Sequence, residues 1–85
     1  MSNLVEEFFD FLDSPTWVSI VGLMKSDALA RRRLLMTSYT LPDEQRHGNI
    51  AVLKAYRDLC DRIYEAAERK TPPELVNFFT GDPNG

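Results

Sequence analysis

Four helix-start signals divide the chain and constrain its fold more than any other feature. They are Asn3 with Glu6, Ser14-Pro15, Thr40-Leu41-Pro42-Asp43, and Thr71-Pro72-Pro73-Glu74. Ser, Thr and Asn side chains cap free N–H groups at a helix start, and proline fits the first turn because it has no N–H to leave unpaired. Glu6 and Glu74 each stand three residues after a capping residue, as in a capping box. The signals predict helices over 4–13, 15–38, 42–70 and 72–80, and a mobile tail over 82–85.

Apolar residues between these signals recur every three or four positions, which is typical of a helix with one buried face. The stripe of the second helix comprises Trp17, Ile20, Val21, Met24, Ala28, Leu34 and Leu35. That of the third comprises Leu53, Tyr56, Cys60, Ile63 and Ala67, widened by Val52, Leu59 and Ala66. A break of the second helix near Ser26 is an alternative to one continuous helix. We predict a single all-α domain over 1–81, an antiparallel hairpin of the two longer helices with the short terminal helices packed on it or projecting from it.

Composition limits the possible functions. The 85 residues carry a net charge of −3, which disfavours general attraction to nucleic acid or to an anionic membrane. The longest apolar stretch, Trp17 to Met24, is much shorter than the roughly 20 residues of a membrane-spanning helix, and no basic signal-peptide region precedes it. Cys60 is the only cysteine, so we expect no internal disulfide. These features predict a protein that is neither secreted nor membrane-spanning.

Neither His47 nor Cys60 has the neighbours that catalysis requires. His47 lies in a polar segment, and its sequence spacing indicates no nucleophile or carboxylate partner. Cys60 lies on the apolar stripe, where a free cysteine behaves as a small hydrophobic residue. The four glycines form no phosphate-binding loop. The sequence therefore predicts no enzyme, no cofactor and no metal site.

Aromatic residues are concentrated in the two short terminal helices. Phe8, Phe9 and Phe11 point around more than one side of the first, and Phe78 and Phe79 do the same in the last. Aromatic rings that do not fit inside a small domain tend to anchor interfaces. We expect these five rings, together with Trp17, to bind a partner protein, although packing of all of them within the monomer is an alternative.

Arg31, Arg32 and Arg33 form the only basic run. Successive residues point in different directions around a helix, so at most two of these arginines can face one ligand. We interpret them as a charged rim for an acidic protein surface. A solvated helix end that complements the helix dipole and a DNA contact are the alternatives.

Several elements between Trp17 and Ala67 carry a family resemblance. They are Trp17 itself, Arg31-Arg32-Arg33-Leu34-Leu35, Thr40-Leu41-Pro42-Asp43-Glu44, and Arg46-His47-Gly48-Asn49-Ile50 leading into Leu53. The last is similar to an Arg-Gly-Arg-Ile type element, with His47 before Gly48 and Asn49 after it. The pattern resembles small all-helical proteins encoded among the head and tail genes of tailed bacteriophages. The resemblance implies a virion-associated or assembly protein, present in several copies around a ring, and transfers no catalytic residue.

The sequence therefore favours a non-enzymatic protein–protein interaction module, acting in a virion or in the host cytoplasm. Its expected partners are further copies of itself or a larger phage structural protein, whereas nucleic acid and membranes are not expected. A small regulatory protein that inhibits a host factor is one alternative. A helix-turn-helix-like DNA binder that uses the Arg31 helix is another.

Overall fold

The described part of the chain folds into four helices. The computed structural model describes residues 3–37 and 40–79, and this part of the chain contains no strand. The helices are α1 (Leu4–Leu12), α2 (Pro15–Thr37), α3 (Asp43–Ala66) and α4 (Pro73–Phe78). The predicted all-α class, with two long helices and two short ones, is confirmed. The predicted tail at 82–85 lies outside the described residues.

The two long helices, α2 and α3, form an antiparallel hairpin. Near the start of α2, Trp17 packs against Tyr64, with ring centroids 6.3 Å apart. Further along α2, Arg31 donates a hydrogen bond to the Asn49 side chain at 2.9 Å. As the residue number increases along α2, the number of the residue contacted on α3 decreases. The two helices therefore run in opposite directions.

Helix α2 is continuous over its 23 residues, so the alternative of a break near Ser26 is wrong. Its predicted start is confirmed, since the Ser14 hydroxyl accepts the Trp17 N–H at 3.2 Å. Gly22 and Ser26 are both exposed, and the helix continues through them. A Cβ atom added at Gly22 would meet nothing within 4 Å.

Both predicted capping boxes are wrong. Asn3 makes no side-chain cap at α1, and Pro72 occupies the capping position of α4. Proline has no side-chain group that can cap. The Thr71 hydroxyl instead donates to Asp61 at 2.6 Å, which ties the segment before α4 to the side of α3.

Helix α3 ends at Ala66 and not near Lys70 as predicted. The Arg69 N–H donates to the Tyr64 carbonyl, and the Glu68 N–H donates to the Glu65 carbonyl, each at 2.9 Å. Glu68 has a φ of 55°, so this end is a Schellman motif with glutamate in the left-handed position that glycine usually occupies. Because no glycine occurs at this position, the sequence carries no signal for the end of α3 at Ala66.

The core lies along the hairpin and beneath the two short helices. Its buried side chains are Leu12, Trp17, Met24, Ala28, Leu35, Leu53, Cys60, Tyr64, Ala67, Leu75 and Phe79. Two residues of the predicted stripes, Leu34 and Leu59, are exposed instead. Each side chain is rotated about 100° from its sequence neighbour, so the stripe that buries Leu35 leaves Leu34 at the side. Tyr64, which the prediction omitted, is buried against Trp17.

Replacing Glu68 with glycine should raise the free energy of unfolding by about 0.5–1 kcal/mol, because glycine adopts positive φ without a Cβ penalty. Urea denaturation measures this change. Glu68→Ala is the matched control, since it removes the carboxylate but keeps the Cβ atom, and it should not reproduce the gain. A glycine variant no more stable than the alanine variant would contradict the Schellman motif.

Candidate protein-docking surfaces

His47 and Cys60, the two candidate catalytic residues, lie in different environments. His47 is exposed on the first turns of α3. Cys60 is fully buried, and burial raises the pKa of its thiol to about 11, so the thiol is protonated at neutral pH. Within 3–37 and 40–79, no three His, Cys, Asp or Glu side chains are grouped to hold a metal ion. None of the helices described is both long enough and apolar enough to cross a membrane.

Two of the three consecutive arginines are half-buried and bond within the chain. Arg31 donates to Asp27 at 2.8 Å as well as to Asn49. Arg32 donates to the Phe78 carbonyl at 3.3 Å, which joins α2 to α4. Of the three, Arg33 alone is exposed. Arg33 is therefore the one exposed member of the predicted charged rim, and Arg31 and Arg32 are half-buried and donate hydrogen bonds within the chain.

Asp27 is the centre of a polar contact between α2 and α3. Its carboxylate accepts hydrogen bonds from Arg31 at 2.8 Å and from the Tyr56 hydroxyl at 2.5 Å. The hydrogen bond from Arg31, and to a smaller extent that from Tyr56, lowers the pKa of Asp27 below its usual 3.8. The hydrogen bond that Tyr56 donates to Asp27, together with burial, in turn raises the pKa of Tyr56. The contact is directional, so it favours one register of α2 against α3.

The lowered pKa of Asp27 predicts an acid-sensitive contribution to stability. Because the pKa is lower in the folded chain than in the unfolded chain, this contribution is present above about pH 4 and is lost as the pH falls through the folded value. Asp27→Asn should therefore flatten the acid limb of the stability curve, measured by urea denaturation between pH 2 and pH 7. Tyr56→Phe retains the pairing with Arg31, so it should lose about 1 kcal/mol at pH 7 and keep most of the acid limb. An acid limb unchanged by Asp27→Asn would contradict this role.

Trp17 and Phe79 are core residues in this structure. They are only 3% and 1% exposed. Trp17 packs between Phe11 and Tyr64, and Phe79 packs against Tyr56. This corrects the expectation that they are surface anchors, because the junctions of α1 and α4 with the hairpin enclose both rings.

Phe78 is half-buried and is flanked by two cations. Lys25 Nζ lies 5.5 Å from the centroid of its ring, and the Arg32 guanidinium carbon lies 6.0 Å from it. Lys25 also pairs with Glu74 at 3.1 Å. Phe78 therefore holds α4 on α2 and offers a partner only part of its ring.

The exposed side of α1 combines apolar and acidic side chains, and we call it the α1 surface. Its exposed apolar members are Leu4, Val5 and Phe9, its half-buried ones are Phe8 and Phe11, and its acids are Glu6, Glu7 and Asp10. A shallow groove of about 340 Å³ lies along one flank of the helix, lined by Leu4, Glu7, Phe8 and Phe11. On the other flank the Arg69 guanidinium carbon lies 4.9 Å from the centroid of the Phe9 ring. Of the predicted anchors in α1, Phe9 is exposed on one flank, and Phe8 and Phe11 are half-buried beside the groove on the other.

A second apolar surface covers the side of α2 that faces away from α3, and we call it the α2 outer face. It comprises Val18, Leu23, Leu29, Leu34 and Met36, all exposed, with Ser19, Gly22, Ser26, Ala30 and the exposed Arg33 between them. Val18 and Leu23 are the most exposed, at 65% and 73%. Apolar side chains on both sides of a helix are typical of helices that are buried on both sides, yet the residues that the structure describes cover only one side of α2.

Sequence reasoning missed the α2 outer face, although a signal for it was present. Leu23, Leu29 and Met36 lie outside the predicted stripe, at positions where a solvent-exposed helix usually carries charged residues. A groove of about 370 Å³ runs beside the N-terminal half of this face, with Val18 and Gly22 at α2 and Leu75 at α4. The face therefore combines projecting aliphatic side chains with an open recess.

No protein-family model, curated protein or solved structure matches this chain. The candidate site is consequently defined by chemistry alone, as one acidic apolar surface on α1 and one nearly uncharged apolar face on α2.

Proposed function

We propose that this chain is a non-enzymatic interaction module that docks on a larger protein subunit through the α1 surface. The observation that carries the proposal is the exposure of Leu4, Val5 and Phe9 on one nine-residue helix. Fully burying one such side chain stabilises a complex by about 1.5–3 kcal/mol before the costs of association are subtracted. The groove beside Leu4 and Phe8 adds a recess into which a partner side chain can insert.

The charge of the α1 surface indicates the chemistry of its partner. Helix α1 contains Glu6, Glu7 and Asp10 and no basic residue. An apolar site rimmed by lysine or arginine would complement it, and complementary charge mainly gives specificity and faster association. The resemblance to head and tail proteins of tailed phages supports a virion or assembly subunit as the bearer of that site.

The structure bears differently on the two alternative functions, a DNA binder and an inhibitor of a host factor. A DNA-binding helix needs its arginines free for phosphates and bases, and intramolecular bonds of Arg31 and Arg32 argue against that use. An inhibitor of a host factor would use the same α1 surface as a virion component. The composition of purified particles distinguishes these two, since only a virion component is present in them at a fixed copy number.

Particles purified from the native source should contain this chain at a fixed ratio to a larger subunit, measured by quantitative mass spectrometry. Leu4→Ser combined with Phe9→Ser should reduce its incorporation at least tenfold, because the double variant removes the two most exposed apolar side chains of α1. Leu59→Ser, a comparably exposed leucine on α3, is the matched control and should be incorporated normally.

Circular dichroism of the three proteins checks that each retains its helices. Absence of the wild-type chain from the particles would contradict the virion role. Equal incorporation of the double variant and the control would contradict docking through α1.

A further inference from the structure

The α2 outer face is the largest exposed apolar feature that the structure describes. Of nine exposed large apolar side chains within 3–37 and 40–79, five lie on α2, three on α1 and one on α3. We infer that two copies of this chain pair side by side, in antiparallel orientation, through their α2 outer faces. The pairing goes beyond the proposed docking because it uses a different helix, and it leaves the α1 surface free.

The shape of the molecule favours contact along its side. The chain is a rod with extents of 54 × 19 × 19 Å. Its long side presents about 1,000 Å² in projection and its end only about 360 Å², whereas a stable interface buries about 800 Å² on each partner. In projection the long side exceeds the area of such an interface, whereas the end is less than half of it.

Small residues along the middle of the α2 outer face permit close approach of a second helix. Ser19, Gly22, Ser26 and Ala30 recur at spacings of three and four, opposite the buried stripe. Packed helices lie 8–10 Å apart depending on the side chains at the contact, and none of these four residues projects far enough to hold a partner away. Arg33 follows Ala30 on the strip and is its one long side chain, near the C-terminal end of α2. Leu23 and Leu34 flank this strip on one side, and Val18, Leu29 and Met36 flank it on the other.

The face is suited to pairing with itself about Ser26. A two-fold axis at Ser26 places Gly22 at the level of Ala30 of the second copy, and Leu23 at the level of Leu29. Met36 then lies at the level of Thr16, beside the open groove that Trp17 and Val18 line. A two-fold interface uses the same patch on both copies, so each Met36 has a groove of the partner to enter.

Charge selects the antiparallel orientation. The C-terminal half of α2 carries Arg31, Arg32 and Arg33 against one acid, Asp27, whereas Lys25 lies beside Ser26 near the middle of the helix and pairs with Glu74. The N-terminal end of α2 adjoins α1, whose only charged residues are acidic. Antiparallel pairing brings the basic half of each copy toward the acidic end of the other. Parallel pairing would place the exposed Arg33 side chains at the same level and would cost electrostatic energy.

Sedimentation equilibrium of the full chain between about 1 and 500 µM tests the pairing. The mass should rise with concentration from 9.8 kDa to twice that value. Leu29→Glu should weaken the association at least tenfold, because it places two charges inside the pair. Leu59→Glu is the matched control, since Leu29 and Leu59 are 43% and 46% exposed, and it should associate like the wild type.

A mass of 9.8 kDa at every concentration would overturn the inference, and so would equal weakening by the two glutamate variants. A chain that stays monomeric but is incorporated into particles would leave the proposed function intact. If Leu29→Glu also abolished that incorporation, the α2 outer face would belong to a partner of another kind.

Disulfide cross-linking tests the orientation. Ser26→Cys should form a disulfide-linked dimer under mild oxidation, because the two Ser26 positions meet at the axis. Ser19→Cys should not, since its two copies lie about 21 Å apart along the paired helices. The wild-type chain is the blank, because its single cysteine, Cys60, is buried. Efficient cross-linking of Ser19→Cys, or none of Ser26→Cys in a dimeric sample, would overturn the antiparallel register.

Discussion

The packing of α2 against α3 is the interaction on which the rest of the structure depends. Ala28 of α2 and Leu53 and Cys60 of α3 are completely buried in this contact or beside it. Helices α1 and α4 contain nine and six residues, too few to be stable alone in water, so each depends on the hairpin as a surface to pack against. The Asp27–Tyr56 hydrogen bond adds direction to the apolar contact and favours one register.

The same architecture explains why apolar surface is left over. Helix α3 and the two short helices cover only one side of α2, so the opposite side carries Leu23 and Val18 at high exposure. Within 3–37 and 40–79, no other helix packs on that side. We propose that a second copy covers the α2 outer face and that a larger subunit covers the α1 surface. Self-association and docking then use separate helices and need not compete.

The parts of the structure that depend on local sequence were predictable, and the parts that depend on distant contacts were not. The start of α2 at Ser14-Pro15 and the buried stripe through Trp17 follow from capping and spacing. The end of α3 was missed because a glutamate, Glu68, adopts the left-handed conformation. The inward roles of Arg31 and Arg32 depend on partners 18 and 46 residues away, which no local pattern reveals. Of the two candidate docking surfaces, the sequence indicated the phenylalanines of α1 and did not indicate the α2 outer face.

The central claim is that α2 packs on both of its sides, against α3 within the chain and against a second copy outside it. A methyl NMR dilution series of the wild-type protein tests this most directly. The account predicts that the methyl signals of Val18, Leu23 and Leu29 shift together as the protein is diluted, while those of buried Leu53 and of exposed Leu59 on α3 stay constant. Concentration-independent signals on α2, or shifts of equal size at Leu59, would contradict it.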